Sequence, residues 1–273
     1  MKIGLKKIIP LIFISTVCAV FLRVLQITQM TEAKTGFFIK GYEPIGIAVT
    51  IAIFVMAAIS TIYAALYKEK EINPVTVTKP FAVIHFILAL AIVYESLFSP
   101  VSGAIHTWQI LLQIVFGLLS AIVFIYSGYN AFTGGKVHPI TSLFHVIFWL
   151  IRVIIVFSAS ISASTIAENI FEMAALCTAL IFFLNASALE NEIDPVRIKK
   201  KIFPSSVAAF IFGAVYSASQ LVVMLSGKAN LLHNIKATFF TNAILVVYIL
   251  YYVLLCFKKP KQENLFEEIE INE

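Results

Sequence analysis

Four ionisable side chains lie inside long apolar runs of the sequence, away from the polar segments that join those runs. Arg23 and Arg152 interrupt two of the runs, and Glu95 and Glu172 interrupt two others. Guanidinium groups bind carboxylate or phosphate through paired N–H donors, whereas a carboxylate holds a cation or a proton. These residue types predict a site for a small anionic or zwitterionic solute.

The four charges are predicted to lie at one depth, together with three amides. At a rise of 1.5 Å per residue, each of the seven lies about 18–22 Å from the inner end of its predicted span. The inner halves of the spans are almost entirely aliphatic and aromatic, so the pattern predicts a polar pocket that is open to the outside. The candidate ligand-binding residues are Arg23, Glu95, Gln113, Arg152, Glu172, Gln220 and Asn242.

An alternative interpretation of the same residues requires no ligand. Two arginines balance two glutamates, and buried ion pairs can specify how helices dock without adding much stability. The protein would then be a non-transporting membrane sensor or an accessory subunit with structural ion pairs. The residues alone leave both interpretations open.

His145, Trp149 and Arg152 follow one another at i, i+4 and i+7, which places them on one face of a helix. We expect a packed histidine and tryptophan beside a partnered arginine. A proton path along this face is the alternative.

The chain shows no catalytic or metal-binding signature. It lacks H-E-x-x-H, G-x-S-x-G and a glycine loop for phosphate. His106 and His233 have no second ligand at the spacing of a metal site. We therefore expect no enzymatic activity, no cofactor and no metal, although a lipid-linked substrate would bring an intramembrane enzyme into consideration.

The composition is that of a chain in contact with lipid. Of 273 residues, 60% are hydrophobic and only 13% are charged, whereas a soluble domain has about 25% charged residues. Apolar runs of about 20 residues indicate membrane-spanning helices. They predict an all-α polytopic membrane protein with eight spans, over residues 8–27, 44–66, 81–99, 107–129, 140–161, 164–186, 205–225 and 235–257.

The basic residues predict the orientation of these spans. With both termini in the cytoplasm, fourteen lysines and arginines lie on the inner side and four lie in outer loops. This asymmetry follows the positive-inside rule, so the "RIKKK" run at 197–201 is interpreted as a topology anchor and not as a nucleic-acid site. The outer basic residues are Lys34, Lys40, Lys228 and Lys236.

Two similar motifs suggest that the chain is duplicated. "EKEINPV" at 69–75 returns as "ENEIDPV" at 190–196, and in each motif an Asx-Pro pair is expected to end one helix and begin the next. Pro10 and Pro139 are each followed by an arginine thirteen residues later. We predict two parallel four-helix halves, 1–135 and 136–257, followed by an acidic cytoplasmic tail, 258–273.

The first hairpin also carries a family resemblance. "LRVLQI" at 22–27 and "TGFF" at 35–38 resemble the opening of uncharacterised multi-spanning membrane proteins of Gram-positive anaerobes. The resemblance covers about forty residues of this chain. It implies a location in a bacterial plasma membrane and no particular activity.

Overall fold

Long α-helices account for most of the structure. The computed structural model describes residues 5–32, 35–67, 78–98, 107–133, 139–162, 167–232 and 238–257. Within these ranges the helices are α1 (Leu5–Leu25), α2 (Glu43–Ala65), α3 (Lys79–Phe98), α4 (Thr107–Thr133), α5 (Leu143–Ser162), α6 (Ala167–Glu190), α7 (Pro195–Leu225) and α8 (Thr238–Cys256).

Seven of these eight helices are long and apolar enough to cross a membrane, and α5 contains a shorter apolar stretch, Leu143–Ser158. Large apolar side chains in the middle of helices are exposed, among them Phe13, Leu90 and Ile122. Such surfaces are suited to contact with lipid. The prediction of an all-α polytopic membrane protein is thereby confirmed, and the count of eight spans stays a prediction.

Six helices follow one another in a closed ring of neighbouring contacts. The order is α3, α4, α5, α6, α7 and α8, and α8 packs back against α3. The remaining pair, α1 and α2, pack on each other and on α7. Helix α7 is the most buried of the candidate spans because it contacts α1 and α2 in addition to its two ring neighbours.

The predicted halves interlock in this arrangement. Helices α1 and α2 pack on α7, whereas α3 packs on α8 and α4 packs on α5. Helix α6 packs extensively on α7, but among the described residues α2 and α3 share no comparable contact. The first copy of the repeated motif, at 69–75, and the tail at 258–273 lie outside the described residues, so the duplication stays a prediction.

Helix α7 begins ten residues earlier than its predicted span. The helix extends beyond the span predicted at 205–225 because the basic residues at 197–201 interrupt the apolar run but do not interrupt the helix. Asp194 caps this helix by accepting a hydrogen bond from the Arg197 backbone N–H, and Pro195 occupies its first turn. The second Asx-Pro pair therefore separates α6 from α7, as predicted.

Aromatic side chains pack together in the half of the ring nearer the start of α1, which we call the inner half. Phe124 stacks on His145 at a ring distance of 3.9 Å and contacts Tyr248 at 5.6 Å. Trp149 stacks on Phe183 at 5.4 Å. The expected packing of His145 and Trp149 is confirmed, and these rings separate the inner end from the charged residues nearer the outer end.

Close packing of α3 on α4 gives a first test of the fold. A Cβ added at Gly117 would collide with the Ser96 hydroxyl and lie 3.2 Å from the Phe148 ring. We expect Gly117→Ala to lower the free energy of unfolding by about 1–3 kcal/mol. The measurement is denaturant unfolding of the protein in detergent micelles.

Gly128→Ala, on the same helix, is the matched control for this test. Its added Cβ would lie 3.0 Å from the ring of Phe86 and 3.3 Å from the Ala82 carbonyl oxygen, which are longer approaches than at Gly117. A gain in helix propensity of about 1 kcal/mol offsets them. Equal losses of stability in the two variants would contradict the packing described for Gly117.

Candidate functional site: a buried layer of charges and amides

All seven predicted ligand-binding residues are buried. Their side chains are at most 4% exposed, so none of them faces lipid. Their role in binding a ligand stays a prediction. Because they are buried, each needs polar partners within the protein or a bound ligand. They are Arg23 on α1, Glu95 on α3, Gln113 on α4, Arg152 on α5, Glu172 on α6, Gln220 on α7 and Asn242 on α8.

The structure pairs Arg152 with Glu95. Arg152 Nε lies 2.7 Å from Glu95 Oε1, and the two side chains are 2% and 0% exposed. The N–H bond is not aligned on the oxygen, so the contact is a close ion pair without a directed hydrogen bond. Because α3 and α5 each pack on α4, the pair joins two helices that are not ring neighbours.

Two aromatic rings hold the Arg152 guanidinium. Its central carbon lies 4.3 Å from the centre of the Trp149 ring and 5.7 Å from that of Phe148. A cation over an aromatic face is attracted by the ring quadrupole, and the attraction grows when water is excluded. The guanidinium is therefore positioned by its own helix as well as by Glu95.

Several polar atoms in this layer have no hydrogen-bond partner among the described residues. Both terminal nitrogens of Arg152 are buried and unpartnered, and so is the second oxygen of Glu95. Native proteins rarely leave such groups unsatisfied, and a bound water or ligand is the usual explanation. The other unpartnered atoms are Ser96 Oγ, Trp149 Nε1, Gln220 Oε1, Asn242 Oδ1 and Asn242 Nδ2.

Helices α8 and α6 bring further polar side chains to this depth. Thr241 donates a hydrogen bond to the Ala91 carbonyl at 3.3 Å, one turn before Glu95 on α3. This contact places Asn242, the next residue, at the level of the ion pair. From α6, Glu172 lies close enough to Glu95 for the two negative charges to repel each other.

Arg23 contacts a different set of residues. It donates to Gln26 Oε1, and Gln26 Nε2 donates to the Gly46 carbonyl and to Thr50 Oγ1, each at 2.8 Å. The Arg23 guanidinium also lies over the Phe171 ring of α6, at 4.7 Å. Arg23 thus connects the α1–α2 hairpin to α6.

A short π-helix, Gln26–Met30, continues α1 at its outer end. A π-helix places an extra residue in each turn and so changes which side chains face inward. Within it Gln26 is fully buried, and Phe38 from the following segment packs on Gly46 of α2. This local geometry keeps the Arg23–Gln26 network out of water.

Sequence reasoning missed three contributors to the layer, Ser96, Trp149 and Thr241. Each lies beside a predicted site residue: Ser96 follows Glu95, and Thr241 precedes Asn242. Trp149 was assigned to packing alone, although it lies one turn from Arg152 and contacts the guanidinium. The sequence signal that could have identified them is their position, one residue or one helical turn from a predicted site residue.

The fold and this layer define the protein as a polytopic helical membrane protein with a buried charged layer. Within the described ranges, no three histidine, cysteine, aspartate or glutamate side chains come close enough to share a metal ion. Comparisons with protein-family models, curated proteins and solved structures give no match.

A double-mutant cycle tests the Glu95–Arg152 pair. At about pH 8, Arg152→Gln leaves a buried carboxylate without its cation and is expected to cost about 3–5 kcal/mol of unfolding free energy. Glu95→Gln leaves a buried guanidinium, with a similar cost. The double variant is expected to lose less than the sum of the two, as measured by unfolding in detergent.

Arg23→Gln combined with Glu95→Gln is the control cycle. These two residues share no described contact, so their effects should add to within about 0.5 kcal/mol. Additive losses for Glu95 and Arg152 as well would contradict the ion pair.

Proposed function

We propose that the protein binds a small anionic or zwitterionic solute in a polar pocket that faces the outside, and carries it across the plasma membrane. The observation that carries this proposal is the Arg152 guanidinium, which is buried with both terminal nitrogens unpartnered among the described residues. Those two nitrogens form a fork that matches the two oxygens of a carboxylate or phosphate group.

The atoms around Arg152 suit a solute with both charges. Asn242 offers a donor and an acceptor, and Trp149 Nε1 offers a second donor. The unpartnered oxygens of Glu95 and Gln220 can accept hydrogen bonds from an ammonium group. A small zwitterion could therefore place its carboxylate at Arg152 and its ammonium at Glu95.

The proposed architecture is consistent with transport. Eight spans in two parallel halves would place both termini on the same side of the membrane, and transporters often bind their solutes where repeats meet. The Glu95–Arg152 pair joins α3 of the proposed first half to α5 of the second. A solute that separated these two side chains would act directly on the contact between the halves.

A non-transporting sensor or accessory subunit is the second candidate. It is favoured by the aromatic packing around Phe124, Phe183 and Tyr248, which occupies the inner half beneath the charged layer. Under this proposal the ion pair fixes the docking of α3 and α5 and does not exchange with a solute.

Ligand-dependent stabilisation separates the two candidates. The purified protein is heated with small amino acids, monocarboxylates, dicarboxylates and phosphate, each tested singly. A compound present at about 100 times its Kd should stabilise the protein by about 2.7 kcal/mol, which raises the Tm. Uptake of the stabilising compound into proteoliposomes then distinguishes a transporter from a sensor.

Arg152→Lys and Arg23→Lys form a matched pair of variants for this experiment. Both keep the positive charge, but Arg152→Lys removes the fork that would hold the solute. We expect Arg152→Lys to lose the Tm shift and Arg23→Lys to retain it. If no compound shifts the Tm of the wild-type protein, the binding proposal fails and the structural role of the pair is favoured.

A further inference from the structure

We infer that Glu95 couples solute binding to the uptake of one proton, because the solute's carboxylate and Glu95 compete for the same guanidinium, that of Arg152. This inference rests on the proposed function and names its coupling ion. It also distinguishes the two buried glutamates, since it assigns the exchange of partner to Glu95 and not to Glu172.

The contact between Glu95 and Arg152 has the geometry of an exchangeable pair. It joins a single nitrogen to a single oxygen, and no aligned hydrogen bond holds it. Its energy is therefore mostly the attraction between two charges in a medium of low dielectric constant. A carboxylate bound by both terminal nitrogens of Arg152 would form two directed hydrogen bonds and neutralise the same cation.

The surroundings of Glu95 supply no second cation. Arg152 of α5 is the positive charge that acts on it among the described residues, and Glu172 of α6 repels it. The helices packed on α3 present uncharged groups at this depth, Gln113 from α4 and Thr241 and Asn242 from α8. On α3 itself, His85 lies ten residues away, about 15 Å toward the inner end.

Loss of Arg152 as a partner would leave a fully buried carboxylate beside a second one. An isolated buried charge is so unfavourable that the group takes up a proton instead. On binding of an anionic solute, a hydronium ion from the outer solution would transfer one proton to a Glu95 oxygen. One O–H bond of the hydronium ion breaks, one O–H bond forms on Glu95, and water leaves. No oxidation or reduction occurs, and the net charge of the layer is unchanged when one anion and one proton enter together.

The proton can be detected without any solute. In Arg152→Gln, infrared spectroscopy with 13C-labelled glutamate should show the C=O stretch of a neutral carboxylic acid at about pH 7. This band should be weaker in the wild-type protein and in Arg152→Gln/Glu95→Gln, since any signal from other glutamates is common to all variants. The added intensity should persist in Arg152→Gln/Glu172→Gln, which assigns it to Glu95. An Arg152→Gln band no stronger than that of Arg152→Gln/Glu95→Gln overturns the inference.

Thermal stability gives a second readout if Arg152→Gln folds poorly. A proton bound only in the folded state stabilises the protein at low pH, and that stability is lost as the pH rises. The Tm of Arg152→Gln should therefore rise from about pH 8 to about pH 5, beyond any change in Arg152→Gln/Glu95→Gln. Failure of this double variant to fold at any pH would assign the pair to packing and overturn the inference.

Acetate serves as the probe for the solute-bound state, because it is an anion with no ammonium group to pair with Glu95. In weakly buffered solution, the wild-type protein should take up one proton for each acetate bound, with affinity falling about tenfold per pH unit above neutrality. Glu95→Gln should bind acetate with no proton uptake and little pH dependence. Binding without proton uptake overturns the coupling but supports the proposed function, whereas failure of acetate to bind counts against the proposed function itself.

Discussion

The rest of the structure depends on one constraint, that a charge surrounded by apolar helices must meet an opposite charge. Glu95 and Arg152 satisfy it by direct contact across the interior of the ring, although α4 lies between their helices in the order of packing. The contact sets the relative heights of α3 and α5. It also requires α3 to approach α4 closely at this depth. Gly117 allows this approach, because a side chain there would collide with Ser96.

The two arginines illustrate two ways of burying a guanidinium. Arg23 is part of a hydrogen-bond network that runs through Gln26 to the backbone of α2, with an aromatic ring of α6 on its face. Arg152 rests on its own helix's tryptophan and touches one carboxylate, with its terminal nitrogens unpartnered among the described residues. The first arrangement is typical of a structural contact. In the second, the terminal nitrogens of Arg152 can still donate hydrogen bonds to a ligand.

Much of the architecture was predictable because the signals for membrane helices are local. Runs of apolar residues located every helix, and the rise per residue placed Glu95 and Arg152 near one depth before any contact was known. Depth does not determine rotation about the helix axis or the order of helices around a ring. For this reason the spacing did not predict that Arg152 pairs with Glu95, or that Arg23 contacts Gln26 and Phe171.

Other features depended on contacts that composition does not encode. The start of α7 at Pro195 follows from the cap at Asp194, which the Asx-Pro pair indicates but a search for apolar runs does not detect, because the first turns carry lysines. Thr241 and Ser96 join the layer because α8 and α4 each approach α3 closely there. These close contacts follow from the tertiary packing of the helices, and the spacing of apolar residues along the sequence does not predict them.

The position of α7 has a consequence for synthesis of the chain. The hairpin of α1 and α2 leaves the ribosome more than a hundred residues before Pro195, yet its principal packing surface is α7. During that interval the hairpin must persist in the bilayer by itself, and the Gln26 network satisfies its polar groups from within. A nascent chain interrupted before α7 would hold the α1–α2 pair without its main packing partner, while α3 to α6 could already pack on one another.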